Sequence, residues 1–155
     1  MRVRVIAVGT RMPPWVRSAC SDYLTRLRPQ LPVALTEIEP GARRAGDPQR
    51  AIATEGRRLL STLAPADHVI ALDERARELS TCELAGWLGD RMRGGEDLAF
   101  LIGGPDGLAP EVLARSNFTL SLSRLTLPHA LARVLLSEQL YRAHSILTNH
   151  PYHRA

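Results

Sequence analysis

Apolar residues fall along this chain in two patterns. Arg2 to Val8, Val33 to Ile38, His68 to Leu72, Leu98 to Ile102 and Phe118 to Leu122 are short, dense apolar runs. Runs of that length suit strands covered on both faces. Between them, apolar residues recur three and four positions apart, as in Val16, Cys20, Leu24 and Leu27, or Leu84, Leu88 and Met92. That spacing keeps one helix face apolar.

The punctuation agrees. Gly9 closes the first run, Pro13-Pro14 opens a helix, and Pro29 and Pro32 end it. Pro48 and Pro110 stand where a first helical turn tolerates proline. Ser80-Thr81-Cys82-Glu83 has the form of a capping box. The last helix is predicted over 129–147, followed by a tail to Ala155. Strands alternating with helices predict an α/β fold with a mainly parallel sheet and helices on both faces, as a single domain over residues 1–155.

Composition narrows the class. With 155 residues and 45% hydrophobic content, the chain can bury one sizeable core. No apolar run approaches the roughly 18 residues of a membrane span. The start, Met1 to Ile6, lacks the features of a signal peptide. The expectation is a soluble, cytoplasmic protein with no membrane partner. Cys20 and Cys82 fit no zinc or redox spacing and are expected to be reduced, partly buried thiols. No metal is expected. Net charge is +4, and all 20 basic residues are arginine. Each cation is therefore a planar fork suited to phosphate. That fits a nucleic-acid partner without requiring one.

In open α/β sheets, ligands bind outside the carboxyl ends of the strands. Three segments qualify: Leu72-Asp73, Gly103 to Gly107, and Ser123 to Pro128. The glycine cluster permits close backbone approach, and a Cβ at Gly104 is expected to meet the ligand. Without lysine it is no P-loop, and its spacing is not that of a dinucleotide fingerprint. The segment Ser123-Arg124-Leu125-Thr126-Leu127-Pro128 is apolar and hydroxyl-rich. It is expected to be buried, with backbone groups in need of partners. Pro128 is expected to keep it from running smoothly into the next helix.

Other candidates keep two readings each. His150, Tyr152, His153 and Arg154 crowd the tail. They suit proton transfer, base stacking and phosphate binding, or they decorate a frayed terminus. His129 contacts phosphate or packs at the helix start. Glu138 and Arg142 form an exposed ion pair, or Arg142 serves a dimer or RNA interface. Arg43-Arg44 is solvated charge or an RNA contact. Trp15 and Trp87 are expected in the core.

Three stretches, LIGGPDG (101–107), LTLPH (125–129) and NHPYHR (149–154), occur in this order with the start AVGT (7–10), Met12-Pro13, Trp15 and Leu72-Asp73. Together they resemble the methyltransferase H family, SPOUT-class enzymes that methylate N3 of a pseudouridine in 23S ribosomal RNA. The resemblance covers essentially the whole chain. It implies a C-terminal trefoil knot, a homodimer, and S-adenosylmethionine as cofactor. It implies 23S ribosomal RNA within the ribosome as substrate. Carried over, the cofactor residues are Leu72, Gly104, Ser123, Arg124, Leu125, Thr126, Leu127 and Pro128. The catalytic candidates are His153, Tyr152, Arg154 and Arg142. Arg124 departs from the small residue that the family has there, which leaves main-chain binding intact.

Overall fold

The computed structural model describes residues 1–43 and 46–154, so Arg44 lies outside the described residues. Its strands are β1 (Val3–Val8), β2 (Val33–Ile38), β3 (His68–Glu78), β4 (Leu98–Ile102) and β5 (Phe118–Ser121). Its helices are α1 (Pro14–Leu27), α2 (Pro48–Ser61), α3 (Thr81–Gly94), α4 (Pro110–Arg115) and α5 (His129–Leu147). The strands form one sheet in the order β2-β1-β4-β3-β5. Every pairing is parallel.

Alternation along the strands builds two cores. Val3, Val5, Phe100 and Ile70 face α1, α3 and α5 through Leu24, Leu88 and Leu136. Ile6, Val8, Val69 and Leu101 face α2 and α4 through Ile52, Leu59 and Val112. Both faces of the central strands are thus removed from water, which is why the runs lack polar alternation.

The helix ends follow their local chemistry. Asp47 accepts a hydrogen bond from the Arg50 N–H, with Pro48 in the first turn. Ser80 and Glu83 cap each other reciprocally at the start of α3. α5 ends in a double hydrogen bond: His150 N–H to the Ser145 carbonyl at 2.8 Å and Asn149 N–H to the Ile146 carbonyl at 3.3 Å. Asn149 takes the left-handed conformation, φ 56°, that this closure requires. The chain therefore reverses, and the tail runs back along α5.

Several expectations are corrected. β3 continues past Leu72 to Glu78, because Leu72 and Arg77 both pair with Leu120 and the residues between them bulge out. Charged residues hide that extension from an apolar reading. Trp15 is 57% exposed rather than in the core. Trp87 is half-buried and stacks on Phe118 at 5.6 Å. Cys20 is buried, but Cys82 is exposed. The Ser123–Pro128 loop is not buried: Leu125 is 75% exposed. Pro128 does interrupt the backbone as expected: it is extended, φ −63° and ψ 147°, and stands as the N-cap of α5, which starts at His129.

Candidate active site

The strand ends converge where the sequence placed a ligand. Leu72, Asp73, Glu74, Gly104 and Gly107 line two contiguous cavities of about 110 and 300 Å³. Ser123, Leu125 and Leu127 close the smaller one and Thr126 reaches the larger. Arg124 and Pro128 are exposed beside them. One side of this cleft is apolar, through Ile102, Leu120 and Leu122. The other carries the Asp73 and Glu74 carboxylates. A flat aromatic ring and a cationic group suit those two sides respectively.

The glycine turn is a braced wall. Gly107 N–H donates to the Gly104 carbonyl at 3.1 Å. Gly107 holds φ +85°, and a Cβ at Gly103 would lie 2.8 Å from the Gly107 backbone. Side chains are thus excluded where the turn closes on itself. A Cβ at Gly104 would point away from the cleft, toward Arg43 Nη2 and Glu55 Oε1, both 3.2 Å away. It would disturb the support of the turn rather than meet the ligand, which corrects the sequence expectation.

That support is an ion-pair strap. Arg43 donates to Glu55 at 2.7 Å and, through Nε, to Asp106 of the turn at 2.8 Å. Glu55 is 2% exposed and also accepts the Gly41 N–H at 2.9 Å. These hydrogen bonds hold the Arg43 guanidinium above its ordinary pKa. Arg43 is therefore paired charge rather than free surface charge. Sequence reading missed this pair, and its only signal was a glutamate on the apolar face of α2.

Arg133 was also missed. It is 1% exposed and donates to Glu37 at 2.6 Å and to the Val8 and Gly9 carbonyls at 3.3 and 3.2 Å. It ties the start of α5 to the end of β1. A lone arginine among Leu131, Val134 and Leu135 was the available clue.

The catalytic candidates of the tail gather elsewhere. Tyr152 donates its hydroxyl to Glu138 at 3.0 Å and packs against Tyr141, ring centroids 4.6 Å apart. Arg142 lies 4.8 Å over the Tyr152 ring and pairs with Glu138 at 2.6 Å. That pair is half-buried rather than an exposed surface bridge. His153 Nδ1 stands 3.4 Å from Arg142. Arg154 is exposed. Burial, then the bond to Glu138, pushes the Tyr152 hydroxyl up to about 12. The Glu138 hydrogen bond holds Arg142 above its ordinary value. α5 rises about 1.5 Å per residue, so Arg142 lies about 20 Å along the helix from His129. The structure brings the cofactor candidates together at one end of α5 and the tail candidates together toward the other.

The largest cavity, about 450 Å³, lies between α1 and the edge strand β2, lined by Val16, Cys20, Leu24 and Leu35. Its lining mixes these apolar residues with Arg17, Arg28, Glu37 and Arg133. Among the described residues, no group of His, Cys, Asp and Glu is placed to hold a metal. Among the same residues, no helix is long and apolar enough to cross a membrane.

A parallel sheet with a cleft at its carboxyl end, walled by a glycine turn, defines an α/β protein with room for a small organic molecule there. Residues 1–153 match the family described as "Predicted SPOUT methyltransferase", and the chain belongs to that family. It is 50% identical over 155 residues to ribosomal RNA large subunit methyltransferase H of Thiobacillus denitrificans, covering 99% of each chain. It is 51% identical to the protein of the same name in Bordetella pertussis, covering 100% of each. Among solved structures, a probable methyltransferase from Bordetella pertussis shares the fold. Its TM-score is 0.57 at 19% identity, over 92% of this chain and 95% of that one.

Proposed function

We propose that this chain transfers the methyl group of S-adenosylmethionine to N3 of a pseudouridine in 23S ribosomal RNA. It does so as a cytoplasmic homodimer acting on the large subunit or assembled ribosome. The observation that carries this reading is the two-sided cleft. Its apolar side, from Ile102, Leu120 and Leu122, suits an adenine ring, and Asp73 and Glu74 suit a sulfonium and an ammonium. The names of the full-length relatives support the RNA class.

When bound, the cofactor supplies an electrophilic methyl on a positively charged sulfur. The chain does the positioning. Leu72, Gly104 and the segment Ser123, Arg124, Leu125, Thr126, Leu127, Pro128 hold the cofactor, largely through main chain. Arg124 points into solvent, so its large side chain does not obstruct that role. The trefoil knot belongs to the same reading. β5 lies beyond β3 from β4, yet α5 must begin beside the end of β1, so the chain recrosses the strand ends.

Tyr152, His153, Arg154 and Arg142 act from the partner protomer. Their place along α5 puts them too far from the cofactor cleft of their own chain. Leu131, Val134 and Leu135 leave apolar surface on α5 for a second copy. Tyr152 stacks on a base and Arg154 holds a phosphate.

Mass spectrometry of ribosomal RNA tests the reading. A strain lacking the gene should lose one methylated pseudouridine, and the purified protein with S-adenosylmethionine should restore it. Unchanged RNA in that strain sinks the proposal. Mixed dimers test the shared site. A protomer cut after Pro151 is paired with one carrying Gly104→Arg. Activity should return if one intact cleft meets one intact tail; a dead mixture with verified subunit exchange removes the tail from the partner's site.

A further inference from the structure

A second cleft, of about 360 Å³, opens on the other side of the glycine turn. Its walls are the end of β1 with Thr10 and Met12, the loop after β2, Pro105 and His129. Pro105, exposed, lines both this cleft and the larger cofactor cavity, so the two adjoin at that residue. Direct transfer needs the reacting atoms in contact, and a base held here reaches the cofactor over that shared rim.

His129 is the titratable ring in this space. It is half-buried in the first turn of α5. Its Nε2 lies 3.8 Å from the position a Cβ on Gly9 would occupy. Among the described residues, neither ring nitrogen is engaged in a side-chain hydrogen bond, whereas Arg43 and Glu55 nearby pair with each other and Arg133 donates through its terminal nitrogens to Glu37 and the Val8 and Gly9 carbonyls. Gly9, with φ +123°, leaves the ring room.

We propose that this cleft receives the target nucleobase and that the His129 imidazole takes the proton from the acceptor nitrogen. The proposal rests on the methyltransferase reading above. The acceptor N–H bond breaks, and its proton goes to a ring nitrogen of His129. The freed lone pair forms the bond to the methyl carbon, and the carbon–sulfur pair returns to sulfur. The imidazolium then releases its proton to water.

The surroundings favour a neutral ring. Burial lowers the His129 pKa, and the charges of Arg133 on α5 and Arg43 after β2 lower it further. Glu55 on α2 opposes them. Arg11 after β1 and Glu39 after β2 complete the charged groups lining the cleft. The amide dipoles at the start of α5 also disfavour a cation. A ring neutral at pH 7 can accept a proton without first losing one. Tyr152, held protonated by burial and Glu138, is unsuited to that task.

The test uses the full-length protein, S-adenosylmethionine, and ribosomes from a strain lacking the gene. Calorimetry should give His129→Gln a cofactor affinity within about threefold of wild type, because the ring lines the neighbouring cleft and not the cofactor's. Its single-turnover rate at pH 7 should fall about 100-fold or more. The wild-type rate should rise as pH climbs to the His129 pKa, below 6.5, and then level. His129→Gln should lose that plateau and rise with hydroxide throughout, whereas His153→Gln should slow the reaction and keep it. Histidine ring NMR should show His129 neutral at pH 7. A His129→Gln enzyme with wild-type rate and plateau, or a His129 ring still charged at pH 7, overturns the proposal while leaving the methyltransferase reading standing. Wild-type protein that binds no cofactor and methylates no ribosome overturns both.

Discussion

The glycine turn and the Ser123–Pro128 loop face each other across the cofactor cleft, and they are built in opposite ways. The turn is closed by its own backbone and strapped from behind by Arg43 and Glu55. The loop has little of its own. Leu125 N–H bonds to Ser123 Oγ at 2.9 Å, Ser121 Oγ bonds to the Ser123 carbonyl at 2.9 Å, and Leu125 stands in solvent. One wall exists before any ligand arrives. The other has exposed apolar side chains and main-chain groups that a ligand can order. Ordering it costs conformational entropy, which lowers net affinity but lets the cleft open for exchange.

The comparison breaks first at the turn. Gly103→Val should abolish cofactor binding, with a loss of about 100-fold or more in affinity, because its Cβ cannot share space with the Gly107 backbone. Calorimetry on the folded protein measures it, and near-normal affinity would show that the turn is not the rigid wall. Next comes the strap. Arg43→Met leaves the buried Glu55 carboxylate with the Gly41 N–H alone and should cost about 3 kcal/mol in denaturant unfolding. Cofactor affinity should fall about tenfold as Asp106 is released, equivalent to about 1.4 kcal/mol. Loss of stability without loss of affinity would separate the strap from the site.

How much of this was legible in the sequence follows the same divide. The dense apolar runs gave the five strands, since burial on both faces leaves little freedom in residue type. Proline and the Ser80–Glu83 box marked helix starts because capping is local chemistry. The strand-end rule picked out Leu72, the glycine turn and the loop before any family likeness was used. What stayed hidden depends on distance in space. Arg43, Glu55 and Asp106 are far apart in sequence, and nothing local marks them as partners. Arg133 reads as one surface arginine among many until its carbonyl partners on β1 are seen. Trp15 and the Ser123–Pro128 loop misled for one reason: apolar residues were equated with burial, though exposed apolar groups are common and clustered ones mark binding surfaces. The crowding of His150 to Arg154 was visible. Its place beside Glu138, rather than at the cleft, depends on the reversal at Asn149.

The smallest effect belongs to the loop itself. Leu125→Ser removes a side chain that touches mostly water, so unfolding should change by less than about 0.5 kcal/mol. If the cofactor draws the loop down, the same change removes apolar area buried only in the bound state. Affinity should then weaken by about 1 kcal/mol, roughly fivefold, which stability measurements would not reveal. Hydrogen exchange provides the independent reading. Amides of residues 124–127 should exchange fast in the free protein and slow markedly when S-adenosylmethionine is added. Gly104 and Gly107 should change little, since their turn is closed already. Equal protection gains in both segments would mean that both walls form on binding. Slow exchange across 124–127 before any ligand is added would mean that both walls are preformed. In either case the asymmetry between them would not govern how the cleft opens.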